Sequence, residues 1–335
     1  PGRGRAGKEG GMAIDRKVLD IDPAKTADAI EAFIRETVGS TLRRKGIVIG
    51  VSGGIDSAVA AALSVRALGP ERVYGMILPE RDSSPDSRRI ALQVIESLGI
   101  EHGEFEITPA LETFGVYETR DEVVRGYFPE LPDDYRFRLT LPQDLLDRDR
   151  ISAYRLEVET AGGEIRSARL SRDDYLEMMA ANDIKQRLRM TRLYYEAERR
   201  YYIVCGTTNR AETAQGFFVK FGDGGVDIEP LADLYKSQVF VLGRHLDLPE
   251  DVLARTPSPD TYSLPVSDKD FYFCLSYDQV DLLLYALEHG GTVEEAAAAL
   301  GLETEQATRA WKDLERKRAA TEHLRSLPPS PDLGI

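Results

Sequence analysis

The stretch "GIVIGVSGGIDSAVAAAL", residues 46 to 63, constrains the fold more than any other part of the chain. "GIVIGV" is a short β-branched run without a polar interruption, the pattern of a strand buried on both faces. "DSAVAAALSVRAL" reads as a helix. Gly53 and Gly54 lie between them, framed by Ser52 and Ser57. A strand feeding a glycine turn that opens a helix leaves the first N–H groups of that helix unpaired. They point at whatever occupies the turn, and the helix dipole favours an anion there. The glycines remove side chains that would hold a phosphate away, and the serines add hydroxyl donors. Asp56 is the odd member, because a carboxylate beside a polyphosphate is repulsive unless a cation lies between them. Magnesium takes carboxylate and phosphate oxygens together and is the cation this arrangement suggests. A serine-capped tight turn is the plainer alternative; the second serine, the aspartate and the buried strand together count against it.

The commoner phosphate loops do not fit. A Walker A loop needs a lysine that this stretch lacks, and G-x-G-x-x-G is absent from it. Downstream, "RVYGMIL" reads as a second buried strand, "SRRIALQVIESLG" as a second helix with a terminal glycine, and "EHGEFEI" as a third strand. An amphipathic helix is expected upstream, over residues 24–44. This order predicts an α/β fold, a doubly wound parallel sheet with helices on both faces.

Between about 115 and 172 the composition turns charged and proline-punctuated. That length is too great for a bare loop, and we read it as an insertion. Within it "YRLEVETAGGEIRSARL" alternates around Gly-Gly, as a β-hairpin does. The α/β rhythm returns with a long helix over 172–200 and the strand "YYIVCGT", where Cys205 reads as core. Residues 265–335 read as a helical carboxy-terminal segment with a Thr292/Glu295 capping box. One domain over 13–335 is expected, with residues 1–12 a leader or tag remnant outside it.

Composition narrows the partners. A net charge of −14 weighs against nucleic acid. No apolar run reaches membrane-spanning length. Two distant cysteines give no disulfide framework and fit the cytoplasm, and the four histidines show no metal-ligand spacing.

"SGGIDS" resembles the S-G-G-x-D-S pyrophosphate loop of the ATP pyrophosphatases, which split ATP into AMP and pyrophosphate. Further motifs choose among them. "GTTNRAET", "GFFVKFGDGGVD" and "DIEPLADLYKSQV" follow one another in a spacing similar to that of the ammonia-dependent NAD synthetases. "KQRLRM" and "RTPSPD" agree, and the resemblance covers roughly residues 24–110 and 180–327.

The resemblance implies roles. Asp56 and Glu212 would hold magnesium. Ser52, Gly53, Gly54 and Ser57 would hold pyrophosphate, with Thr207, Lys236 and Ser258 on the ATP phosphates and Arg189 on ATP. Asp183, Phe217, Lys220 and Asp227 would bind the acid substrate. Asp223 would take ammonium and help deliver ammonia, joining Asp56 and Lys236 as the catalytic set. The implied reaction adenylates the nicotinate carboxylate of deamido-NAD with ATP, then amidates it with ammonia. A homodimer is implied, and free or separately supplied ammonia, since the first strand starts too early for a preceding glutaminase domain.

The chain departs from the family pattern at Asp183, where asparagine is usual, and at "VSDKDFYFC", which is more aromatic and less acidic. The long segment and Leu324, at a usual lysine, depart too; Arg325 follows it. These departures leave open the same chemistry on a different carboxylic acid. A nucleotide-binding regulator without turnover is a third reading, and retention of both magnesium ligands argues against it.

Overall fold

The apolar run at 47–50 forms the inner strand of a parallel sheet, in a computed structural model that describes residues 14–149, 153–160 and 162–331. The expected leader lies outside the described residues.

Helix α1 (Pro23–Glu36) starts at an Asp22 cap with proline in its first turn. It gives way at Thr37–Thr41 to one wider π turn, short of the expected residue 44. Thr37, Val38 and Gly39 are weak helix formers, so the sequence there resists a regular α-turn. Strand β1 (Ile47–Gly50), helix α2 (Ile55–Leu68), strand β2 (Val73–Ile77), helix α3 (Pro85–Leu98) and strand β3 (Glu101–Glu104) follow. Helices α4 (Thr108–Thr113) and α5 (Val116–Tyr127) lead to β4 (Arg136–Thr140), β5 (Arg155–Glu159) and β6 (Ile165–Arg169). The long helix α6 (Arg172–Arg200) runs back to β7 (Ile203–Cys205). Then come α7 (Arg210–Gln215), α8 (Lys236–His245), α9 (Glu250–Ala254), α10 (Tyr277–His289), α11 (Val293–Leu300), α12 (Thr304–Ala320) and α13 (Glu322–Arg325).

The main sheet has the order β3-β2-β1-β7, all parallel. Alternation along β1 feeds two layers. Ile47 and Ile49 pack with residues of α1, α2, α3 and α8. Val48 packs the other way, with Val204 and with Ala197 of α6. Helices therefore cover both faces, as the sequence predicts.

Residues 115–172 hold more than the expected hairpin. β5 and β6 pair antiparallel as read, and β4 adds a third strand. Phe137, Leu139, Leu156 and Val158 of this small sheet share a core with Tyr262 and Phe271. The second sheet is thus packed onto the loops leading to α10. Among the described residues no helix is long and apolar enough to cross a membrane.

Candidate active site

The loops at the carboxyl edge of the parallel strands enclose a cavity of about 390 Å³. Ligands of open parallel sheets collect at this edge. The loop after β1 forms one wall. Ser57 Oγ accepts the Ser52 N–H at 3.2 Å and donates to the Gly54 carbonyl at 3.0 Å, while Ser52 Oγ accepts the Gly54 N–H at 3.3 Å. Gly53 has φ of +77°, and a Cβ there would lie 2.6 Å from the Ser87 carbonyl oxygen. Only glycine fits. No side chain caps the start of α2 at Gly54, so its first N–H groups are left for a ligand.

Lys236, the first residue of α8, brings the acidic residues together. Its Nζ lies 2.5 Å from Asp56 Oδ2 and 3.3 Å from Glu212 Oε1. Asn209 Nδ2 donates to Asp56 Oδ1 at 3.0 Å, and Asn209 with Glu212 forms the capping box of α7. Asp281 of α10 accepts the Ser237 N–H at 2.8 Å and so fixes the turn that carries Lys236. Burial alone would lower the Lys236 ammonium, but Asp56 and Glu212 outweigh it and hold the group above its ordinary value. Burial pushes the Glu212 carboxyl up, against the pull of Lys236.

Thr207, Arg189 and Ser258 line the same cavity. Arg189 Nε donates to the Leu78 carbonyl at 3.1 Å, and Ser258 Oγ accepts the Asp260 N–H at 3.2 Å. Asp183, Phe217 and Asp223 line its other half. Phe217 stacks on Tyr272 at 4.7 Å, and Tyr154 on Tyr175 at 4.6 Å. Phe217 is therefore both wall and core, and Tyr154 brings the segment at 115–172 into the wall. Asp223 is open to the cavity, yet the protein around it desolvates its carboxyl and pushes it up to about 6, with Asp183 adding to the effect.

Lys220 and Asp227 are not in this wall. Lys220 Nζ donates to the His323 and Ser326 carbonyls at 2.7 and 3.1 Å, tying down the carboxy-terminal segment. Asp227 Oδ2 accepts the Val204 N–H at 2.8 Å, bracing β7. Arg325, which follows Leu324, turns to the Thr213 carbonyl at 3.2 Å and the Arg318 carbonyl at 2.5 Å, away from the cavity.

The sequence reading missed three wall or support residues. Arg255 donates to the Ser52 carbonyl at 3.3 Å and to Ser87 Oγ at 2.5 Å, setting a cation beside the glycine turn. Its signal was the first letter of "RTPSPD", read only for Ser258. Asp268, inside "VSDKDFYFC", is a buried carboxylate in the wall. Lys185, inside "KQRLRM", is buried behind the wall, 2.9 Å from both Glu80 and Asp82.

The comparisons with known proteins fit this geometry. The family model for NAD synthase matches residues 26–128 and 139–328. The chain belongs to the NAD synthase family. An NH(3)-dependent NAD(+) synthetase of Mesorhizobium japonicum is 42% identical over 93% of this chain and 97% of its own. The solved NMN synthetase of Francisella tularensis has a TM-score of 0.67 at 27% identity, over 94% of this chain and all of that one (100%). An NH3-dependent NAD synthetase from Campylobacter jejuni, at 21% identity and a TM-score of 0.62, shares the fold over 93% of this chain and 100% of its own. Family membership makes the chain a ligase of NAD synthesis. Such relatives favour the NAD synthetase reaction over the same chemistry on an unrelated carboxylic acid, and they weigh against a regulator without turnover.

The residues present suit a magnesium ion. Asp56 and Glu212 are mostly buried, with side chains 17% and 15% exposed, and share one ammonium. Carboxylate oxygens are thus in excess, as a hard cation requires. No group of three or more His, Cys, Asp or Glu side chains among the described residues is placed to hold a metal by itself. Magnesium commonly binds through one or two carboxylates and completes its shell with phosphate and water.

Proposed function

We propose that the chain adenylates the nicotinate carboxylate of deamido-NAD with ATP and amidates it with ammonia, releasing AMP and pyrophosphate. The meeting of Asp56, Glu212 and Lys236 beside the serine–glycine turn carries this reading. It places a cation and two carboxylates where a polyphosphate would enter between the N-termini of helices.

A carboxylate has no good leaving group, so amidation needs prior activation. In the first step a carboxylate oxygen attacks the α-phosphorus and the bond to the bridging oxygen of pyrophosphate breaks. The Ser52–Ser57 turn and the open N-terminus of α2 would hold the departing pyrophosphate, with Thr207, Ser258 and Arg255 around it. The Lys236 ammonium would offset charge growing on the leaving oxygen. Asp56 and Glu212 would hold magnesium, which when bound draws off further phosphate charge. Arg189 would bind ATP. In the second step the ammonia nitrogen attacks the acyl carbon and AMP departs with the carboxylate oxygen. Asp223 would bind ammonium and accept its proton. Asp183 and Phe217 would flank the acid.

Lys220 and Asp227 stand on the same loop, beyond this cavity. A direct role for them in acid binding calls for a site extended by a second subunit, and we propose a homodimer. The long helix α6 leaves Leu176 and Tyr195 50% and 54% exposed, which suits such a contact. Cys205 and Cys274 are both buried, and a chain with two cysteines so far apart in sequence suits the cytoplasm.

The test uses deamido-NAD labelled with ¹⁸O in its carboxylate, with ATP, magnesium and ammonium. Label is expected in AMP, together with NAD and pyrophosphate. NAD formed without label in AMP would refute adenylation. Nicotinate mononucleotide is the competing acid, given the Francisella relative, and a higher kcat/KM for it would move the assignment to that substrate.

A further inference from the structure

Three carboxylates act on the Lys236 ammonium, those of Asp56, Glu212 and Asp268, and the first two touch it. Asp268 is 4% exposed and lines the cavity. Its Oδ2 accepts the Tyr277 hydroxyl at 2.8 Å. Its Oδ1 is buried and has no hydrogen-bond partner among the described residues. Lys236 Nζ lies 5.0 Å above the ring of the same Tyr277, so the free oxygen and the ammonium share a neighbour. A buried carboxylate oxygen without a partner is costly to keep, and its presence calls for an explanation.

Charge supplies one. Fully ionised, Asp56, Glu212 and Asp268 set three negative charges against the one positive charge of Lys236, and buried Asp281 on the same turn adds to the excess. A divalent cation on Asp56 and Glu212 would offset most of it. It would also repel the ammonium that now occupies both carboxylates. We infer that Asp268 is the alternative seat of Lys236: when Asp56 and Glu212 pass to a divalent cation, the Lys236 ammonium shifts to Asp268 Oδ1 and stays within the cavity. Asp268 is then a positioning residue. It lets one lysine stabilise the ligand-free site and still face the phosphates in the loaded one. The backbone supports the coupling, since the Asp268 N–H donates to the Pro257 carbonyl at 3.0 Å, next to Ser258. This inference rests on the magnesium assignment of Asp56 and Glu212 made above.

Mn²⁺ binding to the nucleotide-free protein, followed by electron paramagnetic resonance, tests it without turnover. Asp268→Asn is expected to weaken Mn²⁺ binding about tenfold in the native chain but no more than about threefold in Lys236→Met, a coupling typical of one network. A through-space loss of charge or a general loosening would act equally in both backgrounds, and equal effects overturn the inference. A crystal structure of the unaltered protein with Mn²⁺ bound gives a second readout that needs no variant. Lys236 Nζ on Asp268 is expected; Lys236 remaining on Asp56 overturns the exchange. Undiminished Mn²⁺ binding in Asp56→Asn would instead overturn the underlying metal assignment.

Discussion

Lys236 Nζ and Asp56 Oδ2 meet at 2.5 Å although 180 residues separate them in sequence. The contact joins the first turn of α8 to the first turn of α2, the helix that opens at the glycine turn. The two residues should respond to substitution in opposite ways. Asp56→Asn removes one carboxylate from a group with too many, so its melting temperature should match or exceed that of the native chain. Its NAD-forming activity should fall by about 10²-fold or more, in line with loss of one stabilising group in a transition state. Lys236→Met leaves buried carboxylates uncompensated and should lose about 3–5 kcal/mol of stability as well as activity. Thermal melts and steady-state rates on the two variants check the contrast.

Lys185 makes a second buried arrangement, with no place in the chemistry. Its Nζ is 2.9 Å from Glu80 Oε1, 2.9 Å from Asp82 Oδ2 and 2.8 Å from the Thr261 carbonyl. These contacts tie the loop after β2 to α6 and to the loop before α10, three parts of the cavity wall. Lys185→Met should cost about 3–5 kcal/mol, because it leaves the buried Glu80 carboxylate without a cation, whereas Asp82 keeps Arg120 at 2.9 Å. Adding Glu80→Gln should recover a large part of that loss. Urea denaturation of the single and double variants would show it, and no recovery would mean that packing rather than charge sets the cost.

The parts of this site that could be read from sequence are the local ones. Ser52 to Ser57 announce themselves because strand, glycine turn and helix are consecutive, and each has its own residue preference. Helix α6 was legible end to end for the same reason, and the structure adds Ser171 as its cap. Asp223, Lys220 and Asp227 show the limit. All three lie on one glycine-rich loop, and a pattern of letters does not say which side chains turn inward. Val204 takes Asp227 and the carboxy-terminal segment takes Lys220, and both partners are remote in sequence. Asp268 was hidden because its neighbours Lys236 and Tyr277 come from other elements. β4 was missed because a five-residue alternation between two turn signals is too short to stand out until β5 pairs with it.

Asp223 should give the activity its acid limb. Although it is open to the cavity, desolvation by the protein around it pushes its carboxyl up to about 6, from an ordinary value of 3.8. Ammonium binding needs the ionised form, so kcat/KM for ammonium should fall as pH drops through about 6, and Asp223→Asn should remove that limb along with most of the activity. Stability runs the other way. A carboxyl whose value is raised by folding favours the folded state fully below pH 3.8, and that contribution is lost as pH rises through about 6. In ammonium-free buffer Asp223→Asn should therefore gain stability relative to the native chain at pH 8 and show no such gain at pH 4. Paired melts at the two pH values decide the sign.

Gly53 offers the sharpest test of the turn itself. Its φ of +77° is strained for any residue with a Cβ, and that Cβ would press on the Ser87 carbonyl oxygen at 2.6 Å and on the Arg255 guanidinium at 3.0 Å. Strain of this kind costs about 1–3 kcal/mol, and backbone cannot yield at the Ser87 side without moving the start of α3. Gly53→Ala should therefore lose stability and should weaken ATP binding more than it weakens binding of the acid substrate. Gly99 has a φ of +63° but nothing within 4 Å of its added Cβ. Gly99→Ala should show the conformational cost alone, with ATP affinity unchanged. Calorimetric titration of ATP into both variants separates the two effects. Equal ATP affinities for both would mean that the crowding around Gly53 has no part in forming the phosphate site.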